Sequence, residues 1–375
     1  MARKKSDGVQ RWFKGKLLHR DGDLPAMITK DGTKYWYQNG KLHRDNDQPA
    51  VEYPSGAKKY YWHGELHRDN DQPAVIDGIA REWRVHGKLH RDVDEPSCID
   101  EQGNQAWYKN DQQHRENDLP AIVLANGSLV WCMFDKLHRD GGQPCIEFSD
   151  GTREWMINGV YSRADDKPVK VDKHGTEHWY VSGVGYHRDN DEPAKVYKSG
   201  RKIWYKNGKI HRDGDEPAHI DSTGGRSYYR HGVIHRDGDR PAIIHANGTR
   251  EWLKNGVWHR DEDLPAYMGA DGVNFWYKHG KLDRDDDKPA EEHADGTRAW
   301  FKNNKLHRGG KKPAVELPNG IQHWFLGGRF IRGFVPEGCV VAAPYKPATP
   351  EAAPSMLNVR SFADGDRITS IRIGA

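Results

Sequence analysis

The chain has no run of apolar residues approaching the roughly 18 that a membrane-spanning helix needs, and no apolar h-region follows Met1. It is also poor in cysteine. Cys98, Cys132, Cys145 and Cys339 are the complete set in 375 residues, and they show neither metal-ligand spacing nor a disulfide framework. Charge of one sign is lacking too: 58 basic against 55 acidic side chains leave a formal +3 with both signs interleaved, which argues against the one-sided basic face of a nucleic-acid binder. Hydrophobic residues make up only 35% of the chain, too few to fill a thick globular core. These absences predict a protein of a reducing compartment that is not exported by a classical signal peptide.

What the sequence does have is tryptophan, 14 of them, and they fall at regular intervals. The anchor aromatic stands at Trp12, Trp36, Tyr60, Trp83, Trp107, Trp131, Trp155, Trp179, Trp204, Tyr228, Trp252, Trp276, Trp300 and Trp324. Most steps are 24 residues; one is 23, shortened near Asp77-Gly78, and one is 25, lengthened at Val184-Gly185. A fixed period of this size marks a repeat array that grows by stacking, and the aromatics supply what little core a thin sheet has.

Within a unit the pattern is that of strands. Thr33-Lys34-Tyr35-Trp36-Tyr37 is β-compatible and ends at Asn39-Gly40, a type I′ hairpin signal that places Tyr37 opposite Leu42 and Trp36 opposite His43. Ten units carry Gly four places after the anchor, and three carry Asp111, Asp135 or Asn304, the non-glycine types that best accept a positive φ. Only the first unit departs, with Gly15 one place early. A second turn recurs as Asp31-Gly32 or Asp150-Gly151. Between the turns lies a charged bend, His-Arg-Asp-x-Asp-x-Pro, whose Pro lacks an N–H and so predicts a bulge or edge.

The expected fold is therefore all-β: an elongated antiparallel β-hairpin repeat array of about fourteen units, a twisted sheet or open solenoid. The expected domains are a polar leader at 1–8, the array at 9–335, a Pro/Ala-rich linker at 336–356 and a short C-terminal β-hairpin or docking segment at 357–375.

The unit, with its anchor aromatic, Asn39-Gly40-Lys41, His43 and closing Asp-Gly, resembles a MORN-type repeat, in particular the divergent MORN-variant arrays of bacteria, phages and large viruses. The resemblance covers about residues 12–332. It implies stacked hairpins used for protein contacts, a cytoplasmic or virion-associated location, and in some members proposed phospholipid contacts. Where MORN repeats usually continue with Gly-x-Gly after the His, this chain has Arg-Asp-x-Asp-x-Pro, which argues against a lipid role.

The bend is the candidate site. All fourteen units keep its Arg, among them Arg44, Arg68, Arg188, Arg212 and Arg236, while His is lost at Ser162, Asp283 and Ile331. A guanidinium fork matches a carboxylate bidentately, so Arg with Asp45, Asp47, Asp213 and Asp215 reads as a structural ladder along the sheet. Unit thirteen keeps Arg308 but has Gly309 and Lys311 in place of its acids, so each Arg is expected to pair with the acids of the preceding unit, Asp285 and Asp287 in that case. His43 and His211 are expected to pack against Trp36 and Trp204 and bond within the bend. If they are neutral and buried, the array should loosen below about pH 6.5.

Calcium binding at Asp21-Gly22-Asp23 or Asp213-Gly214-Asp215 is the rival reading, disfavoured because such a loop needs six or seven oxygen ligands and here a cation sits beside the first Asp. Zinc is disfavoured because equivalent histidines should lie roughly 10 Å apart. Stacking of sugars or bases is the alternative reading of the aromatic rows, which more commonly form the core. His-Arg-Asp repeats without the other parts of a kinase site, and no nucleophile, base and pocket occur together, so no enzyme, cofactor or metal is expected. The expected function is a repeat scaffold that presents its surface to a protein partner or a structural assembly. A ligand-binding array for glycan or anionic lipid head groups is the alternative.

Overall fold

The computed structural model describes residues 2–337 and 345–347, and every regular element in it is a β-strand of an antiparallel pair. The chain divides into two compact units, one up to Lys173 and one from His174. The same local build runs through both. The segment expected as a C-terminal hairpin at 357–375 lies outside the described residues.

The first repeats show the build. Strands β1 (Ala2–Ser6), β2 (Val9–Lys14), β3 (Leu17–Leu18), β4 (Met27–Ile28) and β5 (Lys34–Tyr35) are followed by β6 (Tyr37–Gln38), β7 (Lys41–Leu42) and β8 (Val51–Glu52). β4 pairs with β5 across the Asp31-Gly32 turn, and β5 pairs with β8. β6 and β7 leave that ladder and form a separate two-stranded hairpin with Tyr37 opposite Leu42. Each repeat thus contributes two short strands to a continuous sheet and one hairpin beside it. Consecutive hairpins are tied by a single backbone bond, such as Gly40 N–H to Leu18 O and Gly64 N–H to Leu42 O, both 2.8 Å.

The expected single strand from Thr33 to Tyr37 is therefore two strands with a corner at Trp36. Trp36 donates its N–H to Ala50 O at 2.8 Å and accepts from His43 N–H at 3.1 Å, so its two backbone groups serve two different layers. The residue after each bend proline is small and buried at this corner, usually Ala, as at Ala26, Ala50 and Ala74, with Ser97, Cys145 and Val169 in its place in three repeats. A side chain larger than this small set would separate the layers.

The turns follow the sequence closely. Asn39 (φ 48°) and Gly40 (φ 82°) form the type I′ pair. Gly15 (φ 65°) stands at the first turn position of the β2–β3 hairpin, the place a type II′ turn reserves for Gly, and this explains its early position. Asp111, Asp135 and Asn304 adopt φ values of 69°, 66° and 67°, and each uses its side chain. Their Oδ1 atoms accept the N–H of Leu89, Gln113 and Leu282 in the preceding hairpin at 2.7, 2.9 and 2.6 Å.

The core lies between sheet and hairpins. In the first unit Ile122, Val130, Leu137, Cys145 and Ile146 are fully buried. In the second, Ile203, Tyr205 and Ile210 form one cluster and Phe275, Ala299 and Val315 another. Cys98, Cys132 and Cys145 are buried free thiols, pushed up to about 12 by desolvation, and serve as small hydrophobes.

The leader is structured over Ala2–Ser6, which pairs as β1 with β2 in register Arg3 opposite Trp12. Part of the expected linker is docked as well. The Tyr345 hydroxyl donates to the fully buried Glu291 Oε1 at 2.6 Å, and its N–H donates to His323 Nδ1 at 3.4 Å. Among the described residues, no helix is long and apolar enough to cross a membrane.

Candidate functional site: the charged bends

The bend joins the hairpin to the next sheet strand, and in most repeats it turns sharply because two successive residues adopt the left-handed region. Asn46 (φ 59°) and Asp47 (φ 51°) do so, as do Asn70 with Asp71 and Asn190 with Asp191. Gly22 fills the same first place before Asp23 (φ 52°), whereas after Gly214 and Gly238 the second residue, Asp215 or Asp239, leaves the left-handed region. Sequence reasoning missed this turn, although Gly, Asn and Asp at that place were the available signal.

Each bend arginine lies flat on the anchor ring of its own unit. The distance from guanidinium carbon to ring centre is 3.9 Å for Arg44 over Trp36, 3.7 Å for Arg68 over Tyr60, 3.9 Å for Arg188 over Trp179, 4.2 Å for Arg212 over Trp204 and 3.6 Å for Arg236 over Tyr228. Its Nη1 donates to the carbonyl of the bend proline, as from Arg44 to Pro49 O at 3.3 Å and Arg188 to Pro193 O at 3.3 Å. The remaining edge of the fork points to the preceding repeat. Arg44 Nε and Nη2 grip the Asp23 carboxylate at 2.7 and 2.9 Å. Arg68 does the same to Asp47 at 2.8 and 2.8 Å, Arg212 to Asp191 at 2.7 and 2.6 Å, and Arg236 to Asp215 at 2.7 and 2.7 Å. These carboxylates are held below their ordinary range, first by the guanidinium hydrogen bonds.

The anchor indole holds the same aspartate from a second side. Trp36 Nε1 donates to Asp23 O at 3.2 Å, and Trp204 Nε1 donates to Asp191 O at 2.9 Å. One residue, the second Asp of a bend, is thus fixed by its carbonyl and its carboxylate at once. Where the bend changes, the indole bond goes. Val93 is β-branched and does not take the left-handed conformation, Asp94 follows it with a negative φ, and the Trp107 Nε1 facing that bend has no partner.

The first Asp of the bend has a different role from the one expected. Asp45 accepts from His43 Nε2 at 3.0 Å and from Gln38 Nε2 at 2.7 Å; Asp213 accepts from His211 Nε2 at 3.1 Å and Lys206 Nζ at 2.6 Å. Of the two acids expected to serve Arg308, Asp287 does so, at 2.8 and 3.2 Å, and Asp285 pairs with Lys278 instead. The two acids are partitioned because the guanidinium fork is filled by a single carboxylate.

The imidazole also differs from expectation. It packs on the next repeat and leaves its own Trp to the Arg, whose planar guanidinium takes the indole face. His43 Nδ1 accepts the His63 N–H at 3.3 Å and the rings stack with centres 4.3 Å apart; His211 and His231 repeat this at 3.3 and 4.4 Å. With Nδ1 accepting from a backbone N–H and Nε2 facing a carboxylate, the geometry requires the neutral Nε2–H tautomer.

Chemically the bends form a framework. Among the described residues, no group of three or more His, Cys, Asp or Glu is arranged to hold a metal ion, and both oxygens of each gripped Asp face a guanidinium. Open clefts remain between successive bends. One of about 330 Å³ lies between His235–Arg240 and His259–Glu262, and others of about 310 and 350 Å³ lie at His90–Asn117 and His211–Arg240. They share the same lining of His, Arg, Asp and an anchor aromatic. No protein-family model matches the chain, and no curated protein matches it.

Proposed function

We propose that this protein is a non-enzymatic repeat scaffold whose row of bends presents a surface to a protein partner. The observation that carries this reading is the recurrence of one cleft, with one lining, between successive bends within each unit. A single active site needs a singular constellation, whereas a surface repeated at roughly 10 Å steps suits an extended partner engaged at several points. The side chains able to do chemistry there already hold one another. His211 is bonded at both nitrogens, Arg212 at all edges of its fork, and Asp191 at its carboxylate and carbonyl. What the bends leave to solvent is the first Asp and its neighbour, as at Asp213, 71% exposed. These are polar contacts of the kind that fix register more than they add affinity.

The test is capture of partners by the wild-type chain and by a variant combining Asp213→Asn, Asp237→Asn and Asp261→Asn, each preparation also offered to a glycan panel and to anionic liposomes. The expected outcome is a protein partner that the wild type retains and the variant loses, with an unchanged melting temperature. Saturable binding to glycan or liposome with no protein partner would overturn the reading in favour of a ligand-binding array.

A further inference from the structure

The Arg–Asp interlock is complete at ten described arginines, but not at the first. Arg20 lies over the Trp12 ring at 4.0 Å and its Nη1 donates to Pro25 O at 3.2 Å, the same seat that Arg44 takes on Trp36 and Pro49. Its Nε and Nη2 edge, which in Arg44 grips Asp23, meets no carboxylate among the described residues. The surroundings add positive charge. Arg3 approaches the same ring at 5.4 Å, and the neighbouring Lys4 lies 5.8 Å from Phe13.

We infer that Trp12 and Arg20 form an open binding socket for an aspartate-bearing turn of another protein, with the guanidinium taking the carboxylate and the indole N–H the main-chain carbonyl. The specificity comes from this chain itself. At Trp36 with Arg44, and at Trp204 with Arg212, the same pair of side chains holds an aspartate by those two groups. Arg20 is already stacked and already hydrogen-bonded to Pro25, so its fork is pre-organised and little side-chain entropy remains to be lost on binding.

A second copy of this chain is the poorer occupant. Ten of its second-position aspartates, from Asp23 to Asp287, are gripped by an arginine. Where the last full bend would offer an acid, it has Lys311, and Arg332 follows it over Trp324. A cationic face of that kind repels the Arg20 socket. The ligand is therefore an acidic turn of a different protein, with an Asp in the left-handed conformation, as at Asp23 and Asp191 of this chain. The socket is separate from the clefts between bends, so failure here leaves the scaffold reading standing.

The test titrates the full chain with the peptide His-Arg-Asp-Asn-Asp-Glu-Pro-Ala, a copy of residues 187–194, while the indole resonance of Trp12 and the Nε–H resonance of Arg20 are followed by NMR. Both are expected to shift saturably in the millimolar range. Binding should weaken at least about tenfold when the peptide carries Asp191→Asn, and by a similar factor in Arg20→Gln and Arg20→Lys chains. Arg20→Gln should lower the melting temperature less than Arg212→Gln, because it breaks no ion pair. The proposal is overturned if neither resonance shifts, if the Asn peptide binds equally well, or if Arg20→Lys retains full binding, which would reduce the effect to net charge. Self-association of the chain that Arg20→Gln abolishes would overturn the assignment to a different protein.

Discussion

Asp283 accepts the Asn303 N–H at 3.1 Å, taking over a bond that histidine makes elsewhere in the array. One repeat earlier His259 Nδ1 accepts the His279 N–H at 3.4 Å, and one repeat later His307 Nδ1 accepts the Gly327 N–H at 3.1 Å. The sequence position is a substitution, yet the acceptor is preserved. What this position supplies is an acceptor aimed at the turn of the following hairpin.

Replacement of Asp283, which is only 7% exposed, separates the two roles. Asp283→Ala leaves the Asn303 N–H without its acceptor and should lower stability by about 1–3 kcal/mol. Asp283→His should restore most of it, because the ring nitrogen returns to the geometry of the neighbouring repeats. Urea denaturation of both variants decides the matter, and equal losses would remove the acceptor role.

The interlock of Arg212 with Asp191 predicts a specific coupling. Both Asp191 oxygens meet the fork, at 2.7 and 2.6 Å, whereas Asp213 faces His211 and Lys206. A double-mutant cycle with Arg212→Gln and Asp191→Asn should give a coupling near the top of the exposed-pair range, about 1 kcal/mol, since Asp191 is half exposed and screened. The cycle with Asp213→Asn should give a coupling close to zero. The reverse order would mean that the pairing runs within the bend.

Turn residues that replace glycine are predicted to hold hairpins together. Asn304 Oδ1 accepts the Leu282 N–H at 2.6 Å while its backbone stands at φ 67°. Asn304→Ala loses the bond and places a Cβ with no compensating contact in the left-handed region, for a loss of about 1–2 kcal/mol. Asn304→Gly loses only the bond and should fall between alanine and wild type. A chemical-denaturation series checks the order, and alanine matching glycine would show that conformation contributes nothing.

How much of this was legible in the sequence depended on whether a position demands a residue type. Left-handed turn positions do, so Gly40, Asp111, Asp135 and Asn304 announced the hairpins. The direction of the ladder was legible from a loss, because Arg308 persists where Gly309 and Lys311 have replaced the acids of its own bend. The corner at Trp36 was not. Any residue can split its N–H and C=O between two layers, so no residue type marks it, and the strand reads as continuous through it. The partition of the two bend acids was hidden for a similar reason: Asp45 and Asp47 are chemically identical, and only the left-handed turn between them sends one to His43 and the other to Arg68. His63 and His231 gave a faint signal as recurrent ring residues at the turn, but their stacking partners lie 20 residues back, in the preceding repeat.

The same geometry predicts acid unfolding in two steps. Burial, with Arg201 adding, pushes His219 down to about 4 from its ordinary 6.5, and burial also lowers His114 and His323. The ladder aspartates are lowered by their arginines, and hydrogen bonds from Arg284 with a smaller contribution from Lys288 hold Asp263 at about 2. In both classes the folded chain binds protons less readily than the unfolded chain, so each contribution is present above the unfolded pKa and lost as pH falls through the folded one. The histidines act between about pH 6.5 and 4, and the aspartates between about 4 and 2. Melting temperature should therefore decline gently over the first window and steeply over the second, where about ten ladder carboxylates titrate together. His219→Gln should flatten the first decline and leave the second in place, whereas Asp191→Asn should reduce only the second. A melting series from pH 8 to 2 on the three chains measures both. An unaltered first decline in His219→Gln would assign that step to other groups, and a chain that keeps its full melting temperature at about pH 2 would show that the ladder does not hold the repeats together.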